Sequence, residues 1–301
     1  MERFRPRKRW GQNFLVDHNI ARKMVSSAEL SPKDIVVEIG AGKGILTGKI
    51  ASQVNKVIAI EIDKKLCNFL QEELKNYENV EIIEGNFLKL DISQFLGSSS
   101  KSSVKVISNL PYYITSPIIM KLLNVKGWLE ATFMLQKEVG ERIIAGPGGR
   151  DYGALSIFVQ YHCYVEKQFN VSRNVFRPKP DVDSVVIKLE LLKRPRVKVK
   201  DEKLFFEIVH AAFSQRRKKL SNSISNVLKI DKHLLEELLE RLKISPIRRA
   251  ETLSIEEFAT ICNSLVGATL CGRPKVRDGT ESVPYRRQSL RFAATKRKHR
   301  M

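Results

Sequence analysis

Five short apolar runs, each followed by a stretch of helical character, set the first half of the chain. "DIVVEIG" (34–40), "KVIAIEID" (56–63), "VEIIEGN" (80–86), "VKVISNL" (104–110) and "ATFMLQ" (131–136) are brief and rich in β-branched residues, which makes them buried strands rather than buried helices. Between them lie "AGKGILTGKIASQ" and "KKLCNFLQEELKNY" (64–77), then "SPIIMKLLN" (116–124) and "KEVGERIIA" (137–145). Leu66, Phe69, Leu70 and Leu74 form one apolar stripe in the second of these. Strands apolar on both faces that alternate with helices specify a parallel sheet with right-handed crossovers. The fold class is therefore α/β, a doubly wound Rossmann-like sheet, and a ligand would meet the C-terminal tips of its strands.

The flanking segments divide the rest. Residues 1–16 form a basic arm ending in "GQNFL". Asp17 is placed to cap a helix with Ile20, Met24 and Val25 on one face, broken by Ser31-Pro32. "ALSIFVQYH" reads as a helix, and "YVEKQFNVS" and "SVVIKLELL" as two strands pairing in a ribbon at the sheet edge. "KRPRVKVKDEK" (193–203) is a charged linker. The expected division is an α/β domain over 17–195, a small all-helical C-terminal domain over 196–266, and a basic, aperiodic tail over 267–301 that reads as disordered.

Charge narrows the class of partner. The chain has 301 residues and a formal net charge of +20. The excess recurs in separate clusters at 3–9, 193–200, 215–219 and 273–300. Recurrence favours a polyanionic partner over a merely solvated surface, and nucleic acid is the default polyanion. No apolar run approaches the ~18–20 residues of a membrane span, no basic segment is also a clear amphipathic helix, and "MERFRPRKRW" lacks the apolar stretch of a secretory signal. The four cysteines and five histidines are scattered. This spacing suggests reduced thiols in a cytoplasmic protein, with neither a metal site nor a nucleophile–histidine pair.

The strand tips carry the chemistry. "VVEIGAGKG" gives glycines at 40, 42 and 44, spaced unlike the dinucleotide fingerprint; alone, this turn is either a ligand cradle or only a tight turn. Glu61 ends the second run, 21 residues after Gly40, the distance at which an acid accepts hydrogen bonds from a ribose diol. Asp63 reads as a helix-N-terminal acid. Asn86 stands at the third tip, where an amide can read an adenine edge. Together these describe a cleft for an adenosine, and the lack of a Walker lysine pattern argues against a triphosphate. The fourth tip is "NLPY". The Asn109 side-chain oxygen and the Leu110 carbonyl can accept the hydrogens of an exocyclic amine. Pro111 stiffens the chain without a competing N–H, and Tyr112 offers a flat face to an unstacked base. An amine held this way aims its lone pair outward, toward an electrophilic methyl. The plainer alternative is a turn with its tyrosines filling the core.

With these residues the chain resembles the S-adenosyl-L-methionine-dependent adenine N6-dimethyltransferases of small-subunit rRNA. The resemblance spans about residues 7–266 and includes "RWGQNFL", "NLPYYITSP", "MLQKEVGERI", "FRPKPDVDSVVIKL", "AAFSQRRKKLSNSI" and "RRAETLSIEEF". It implies a methyltransferase sheet and S-adenosyl-L-methionine as cofactor. Asn13 and Leu15 would fold over its methionine end, Gly40 and Gly42 lie beneath it, Glu61 take the ribose, Asn86 sit by the adenine and Asn109 face the methyl. It further implies catalysis by Asn109, Leu110, Pro111 and Tyr112, and dimethylation of two adjacent adenosines near the 3′ end of the rRNA, coupled to ribosome assembly. The family usually has Asp at the position of Asn86. Phe176 is expected either to stack on the target base opposite Tyr112 or to pack under the edge strands. Arg216, Arg217, Lys218 and Lys219 are expected to contact phosphates of the rRNA or pre-ribosomal small subunit. The expected enzyme is a monomer that uses no metal and no membrane. Two rivals share the scaffold: large-subunit rRNA adenine methyltransferases of the macrolide-resistance type, and non-catalytic mitochondrial transcription factors.

Overall fold

The computed structural model describes residues 12–95, 103–215 and 217–271. The basic arm at 3–9, Arg216 and the tail beyond 271 lie outside the described residues, as does most of the low-complexity piece at 97–103; the first five residues of the expected tail, 267–271, are instead helical, continuing the last helix among the described residues.

All five apolar runs form strands: β2 (Ile35–Ile39), β3 (Lys56–Glu61), β4 (Val80–Glu84), β5 (Val104–Asn109) and β6 (Glu130–Gln136). They pair in parallel in the order β4-β3-β2-β5-β6. The expected edge ribbon is β7 (Cys163–Val171) with β9 (Ser184–Leu191), joined antiparallel. β9 also pairs antiparallel with β6, which leaves β7 outermost. The chain adds strands in one direction through β4 and in the other from β5 onward. The reversal between β2 and β5 opens a crevice at their C-terminal tips.

Alternate residues of each strand serve opposite layers. Val37, Ile39, Ile58, Ile60, Val106 and Phe133 join the apolar layer that holds α4 (Thr115–Leu123) and Trp128. Val36, Val57, Ile107, Met134 and Val186 face the other layer, with Met24 of α1 (His18–Ser27) and Ile50 of α2 (Thr47–Ala51). Asp17 caps α1 as expected, accepting from the Asn19 and Ile20 N–H groups, and Asp63 caps α3 (Lys64–Glu73). The helix after the glycine turn starts only at Thr47.

Three features depart from the sequence reading. Residues 14–15 are not part of a loose arm: they form β1 (Phe14–Leu15), paired antiparallel with β8 (Phe176–Arg177). The helical unit, α7 (Glu202–Ser214), α8 (Leu220–Leu228), α9 (Lys232–Arg241) and α10 (Ile255–Cys271), shares its core with Tyr152 and with Ile157 and Tyr161 of α6 (Ala154–His162). The charged linker is pinned to both sides, since Arg196 N–H donates to Tyr161 O (2.9 Å) and Lys200 N–H to Asn263 Oδ1 (2.7 Å). Finally, Gln215, Arg217, Lys218 and Lys219 lie on no helix: α7 ends at Ser214 and α8 begins at Leu220. Arg217, Lys218 and Lys219 are exposed in the intervening turn. No helix among the described residues is long and apolar enough to cross a membrane.

Candidate active site

The crevice is lined by Asn13, Leu15, Gly40, Gly42, Glu61 and Asn86, and by the whole "NLPY" segment, Asn109–Tyr112. The glycine turn forms its floor. Gly40, Gly42 and Gly44 have φ of +73°, +61° and +77°, the left-handed region that side-chain-bearing residues avoid. A Cβ on Gly42 would also press the Phe14 ring at 3.3 Å, so β1 closes directly onto the turn. Lys43 Nζ lies 5.4 Å from the centroid of that ring.

Glu61 closes β3 with its carboxylate almost enclosed, at 5% exposure. One oxygen accepts the Gly42 N–H (2.9 Å); the other accepts those of Ile62 (2.8 Å) and Asp63 (2.9 Å). Burial pushes this carboxyl above the usual range, against the pull of those three donors. A carboxylate oxygen has capacity for two acceptances, so the Gly42-bonded oxygen keeps room for another donor.

Asn86 bends the chain after β4, its Oδ1 accepting the Leu88 N–H at 2.9 Å. That bond fixes the amide's orientation, and its Nδ2 makes no hydrogen bond within the described residues. Lys121 of α4 braces the same segment, with Nζ donating to Phe87 O (2.7 Å) and to Leu90 O.

Asn109, the last residue of β5, donates through Nδ2 to Asn13 O at 3.3 Å. Its Oδ1 is thereby left for a ligand. The β1–β8 pair holds Asn13 in place, so the small sheet absent from the sequence reading sets the orientation of this amide. Leu110 N–H is tied to Met134 O of β6 (2.9 Å). Pro111 packs over Gly40, where an added Cβ would sit 3.9 Å from the proline ring. Tyr112 is partly buried, and its hydroxyl meets Ser184 Oγ at 2.6 Å. Burial raises its phenol pKa, and the Ser184 bond pulls it down. Tyr113, by contrast, is 54% exposed.

Phe176 is a correction. Its ring is wholly enclosed in the layer shared with Leu15, Met24 and Val171, so in this conformation it offers no face to a base. It packs beneath the sheet edge, the plainer of the two expectations. Arg217, Lys218 and Lys219 do not line the crevice.

One further lining residue, the acid that precedes the glycine turn, is given no role in the sequence reading. Glu38 of β2 is 1% exposed, and neither its Oε2 nor the enclosed Thr47 Oγ1 makes a hydrogen bond of normal geometry. Burial pushes its carboxyl up to about 8; Thr47 eases that rise and Glu61 adds to it. The signal was an acid inside an otherwise apolar strand.

Comparison with known proteins agrees with this geometry. A family model described as ribosomal RNA adenine dimethylase matches residues 3–266. A "Ribosomal RNA small subunit methyltransferase A" of Caldanaerobacter subterraneus subsp. tengcongensis is 48% identical over 260 residues, covering 86% of this chain and 97% of that protein. The protein of the same name from Bacillus cytotoxicus is 48% identical over 269 residues, covering 86% and 91%. Among solved structures, a dimethyladenosine transferase from Plasmodium falciparum superposes with a TM-score of 0.72 at 28% identity, covering 84% of this chain and 98% of its own. A 23S rRNA methyltransferase shares the fold at a TM-score of 0.65 and 23% identity, over 84% and 100%. A family match over most of the chain, relatives near half identity and strand tips in one crevice agree: the chain belongs to the ribosomal RNA adenine dimethylase family.

Proposed function

We propose that this protein transfers methyl groups from S-adenosyl-L-methionine to N6 of two adjacent adenosines near the 3′ end of small-subunit rRNA, in step with assembly of that subunit. The observation that carries the reading is the single crevice that gathers Asn13, Leu15, Glu61, Asn86 and Asn109–Tyr112. The residues present fit the cofactor. The positive-φ glycine turn is a cradle that a Cβ would fill at Gly42. Glu61 keeps acceptor capacity for a ribose hydroxyl, and Asn86 keeps an amide donor for an adenine ring nitrogen.

The cofactor supplies an electrophilic methyl; the chain supplies position. Adenine N6 is a poor nucleophile because its lone pair delocalises into the ring. Asn109 Oδ1 and Leu110 O accept its two hydrogens and favour a more tetrahedral nitrogen. Pro111, set at φ −60°, keeps those acceptors in fixed relation. Tyr112 provides the surface on which the base lies. No strong base precedes attack, since the proton becomes acidic once nitrogen carries the new bond and then leaves to water. Most of the acceleration is proximity.

Exposed Arg217, Lys218 and Lys219 serve as phosphate contacts, a role that orients the RNA without reading its sequence. Hydrogen bonds from Leu220 N–H to Arg248 O and from Ser221 N–H to Pro246 O bring the 245–249 loop, with exposed Arg249, beside them.

The test supplies purified protein and labelled cofactor to small and large ribosomal subunits that lack the modification, with nucleoside analysis by mass spectrometry. N6,N6-dimethyladenosine in the small subunit alone supports the proposal. Label confined to the large subunit would establish the macrolide-resistance activity instead, and cofactor binding without turnover would establish a binding protein.

A further inference from the structure

The structure assigns Ser184 as a positioning residue that fixes the direction in which the Tyr112 ring points. This inference rests on the reading of Tyr112 as the platform for the target base.

Tyr112 opens a short 3₁₀ turn, Tyr112–Ile114, behind Pro111. Held only by its backbone, its ring would be free to swing about two side-chain torsions. The hydroxyl instead reaches Ser184 Oγ at 2.6 Å, 72 residues away in sequence. Ser184 is a rigid anchor. It is the first residue of β9, has no exposed surface, and is paired on both sides, with Gln136 of β6 and Val171 of β7. Tyr112 is thus secured at both ends. A partly exposed phenol can find its hydrogen bond in water, so satisfying that group does not require a buried serine. Tyr113, one residue on, is 54% exposed and its hydroxyl has no such tether among the described residues. The loop therefore distinguishes its two tyrosines, and the tethered one belongs to "NLPY".

A fixed ring axis matters because two transfers occur on the same nitrogen. Adenine and then its N6-methyl derivative must each present N6 in line with the incoming methyl, and small misplacements at such a centre cost rate steeply. Without the tether the ring samples more orientations, and the bulkier monomethylated base is affected more. Ser184 itself acts only through Tyr112.

A double-mutant cycle tests this in the full chain, using Ser184→Ala, Tyr112→Phe and the pair. Tyr112→Phe keeps the aromatic face and removes only the hydroxyl, so the test survives even if the buried Ser184→Ala folds poorly. Each single variant is expected to slow single-turnover methyl transfer about fivefold, the worth of one hydrogen bond. Each should also raise the ratio of mono- to dimethylated adenosine and leave cofactor affinity unchanged. The double variant should be no slower than either single. Wild-type kinetics in Tyr112→Phe, or losses that multiply in the double variant, would overturn the inference. Tyr112→Ala separates it from the reading beneath it: an impaired Tyr112→Ala beside a normal Tyr112→Phe removes only the role of Ser184, whereas a normal Tyr112→Ala removes the platform and this inference together.

Discussion

Glu38→Gln should change how stability responds to pH. Glu38 lies inside β2 at 1% exposure, and its carboxyl is pushed up to about 8 from an ordinary 4.5, mainly by burial. The sign follows from proton counting. Between those two values the folded protein keeps a proton that the unfolded chain has released, so the wild type loses stability as pH rises through the window. The slope is ~1.4 kcal/mol per pH unit, and the whole window amounts to ~4–5 kcal/mol. The amide introduced by Glu38→Gln cannot ionise and loses nothing on this account. Urea unfolding of both proteins without cofactor, at intervals from pH 5 to 8, reads the difference directly. The stability of Glu38→Gln relative to wild type should climb steadily with pH. Glu61 and every other titrating group cancel to first order in that comparison. A difference that stays constant across the range would refute the reasoning, because it would mean that Glu38 is ionised in the fold and has a partner there.

Glu61→Ala removes the proposed acceptor for the ribose and should weaken cofactor binding by roughly 1.5–3 kcal/mol, the worth of a charge-assisted hydrogen bond; an unchanged dissociation constant by calorimetry would exclude that role. Lys105 of β5 is 12% exposed, with Nζ 3.0 Å from Glu130 and 3.7 Å from Asp34, and it also donates to the carbonyls of Ala28 and Glu29. Lys105→Met should cost about 3 kcal/mol of unfolding free energy, measured by urea unfolding, because two partly or wholly buried carboxylates lose a partner. Gly140 of α5 (Lys137–Ile144) has no room for a side chain, since a Cβ would fall 2.2 Å from Val185 Cγ1. Gly140→Ala should therefore destabilise by about 1–3 kcal/mol despite the better helix propensity of alanine; a raised melting temperature would contradict this.

What could be read from the sequence was local. The five parallel strands announce themselves because each is an apolar run bounded by polar tips, and chemistry at a strand tip is a matter of position along one segment. Glu61, Asn86 and Asn109 were therefore legible before any contact was known. What was not legible depends on pairing across distance. A two-residue strand such as Phe14–Leu15 has no periodicity, and only its partner at Phe176–Arg177 reveals it. The Asn109–Asn13 and Tyr112–Ser184 bonds span 96 and 72 residues. Phe176 could be a platform or core filler as far as its type shows, and the burial of its ring by Leu15 and Met24 decides for this conformation. Arg217, Lys218 and Lys219 fall in a turn because α8 is capped by the carbonyls of Pro246 and Arg248, well downstream. The helical unit borrows Tyr152 and Tyr161 from the other side of the charged linker, so composition alone marks the boundary too sharply.

The most direct test is methyl transfer by Asn109→Ala to unmethylated small subunits, measured at saturating cofactor alongside binding of cofactor and RNA. Asn109 places one amide group between Asn13 and the crevice, its nitrogen tied to the former and its oxygen the proposed acceptor for the reacting amine. The variant should remain folded, bind small subunits as the wild type does, and yield no dimethyladenosine. Dimethyladenosine formed at the wild-type rate would contradict the central claim.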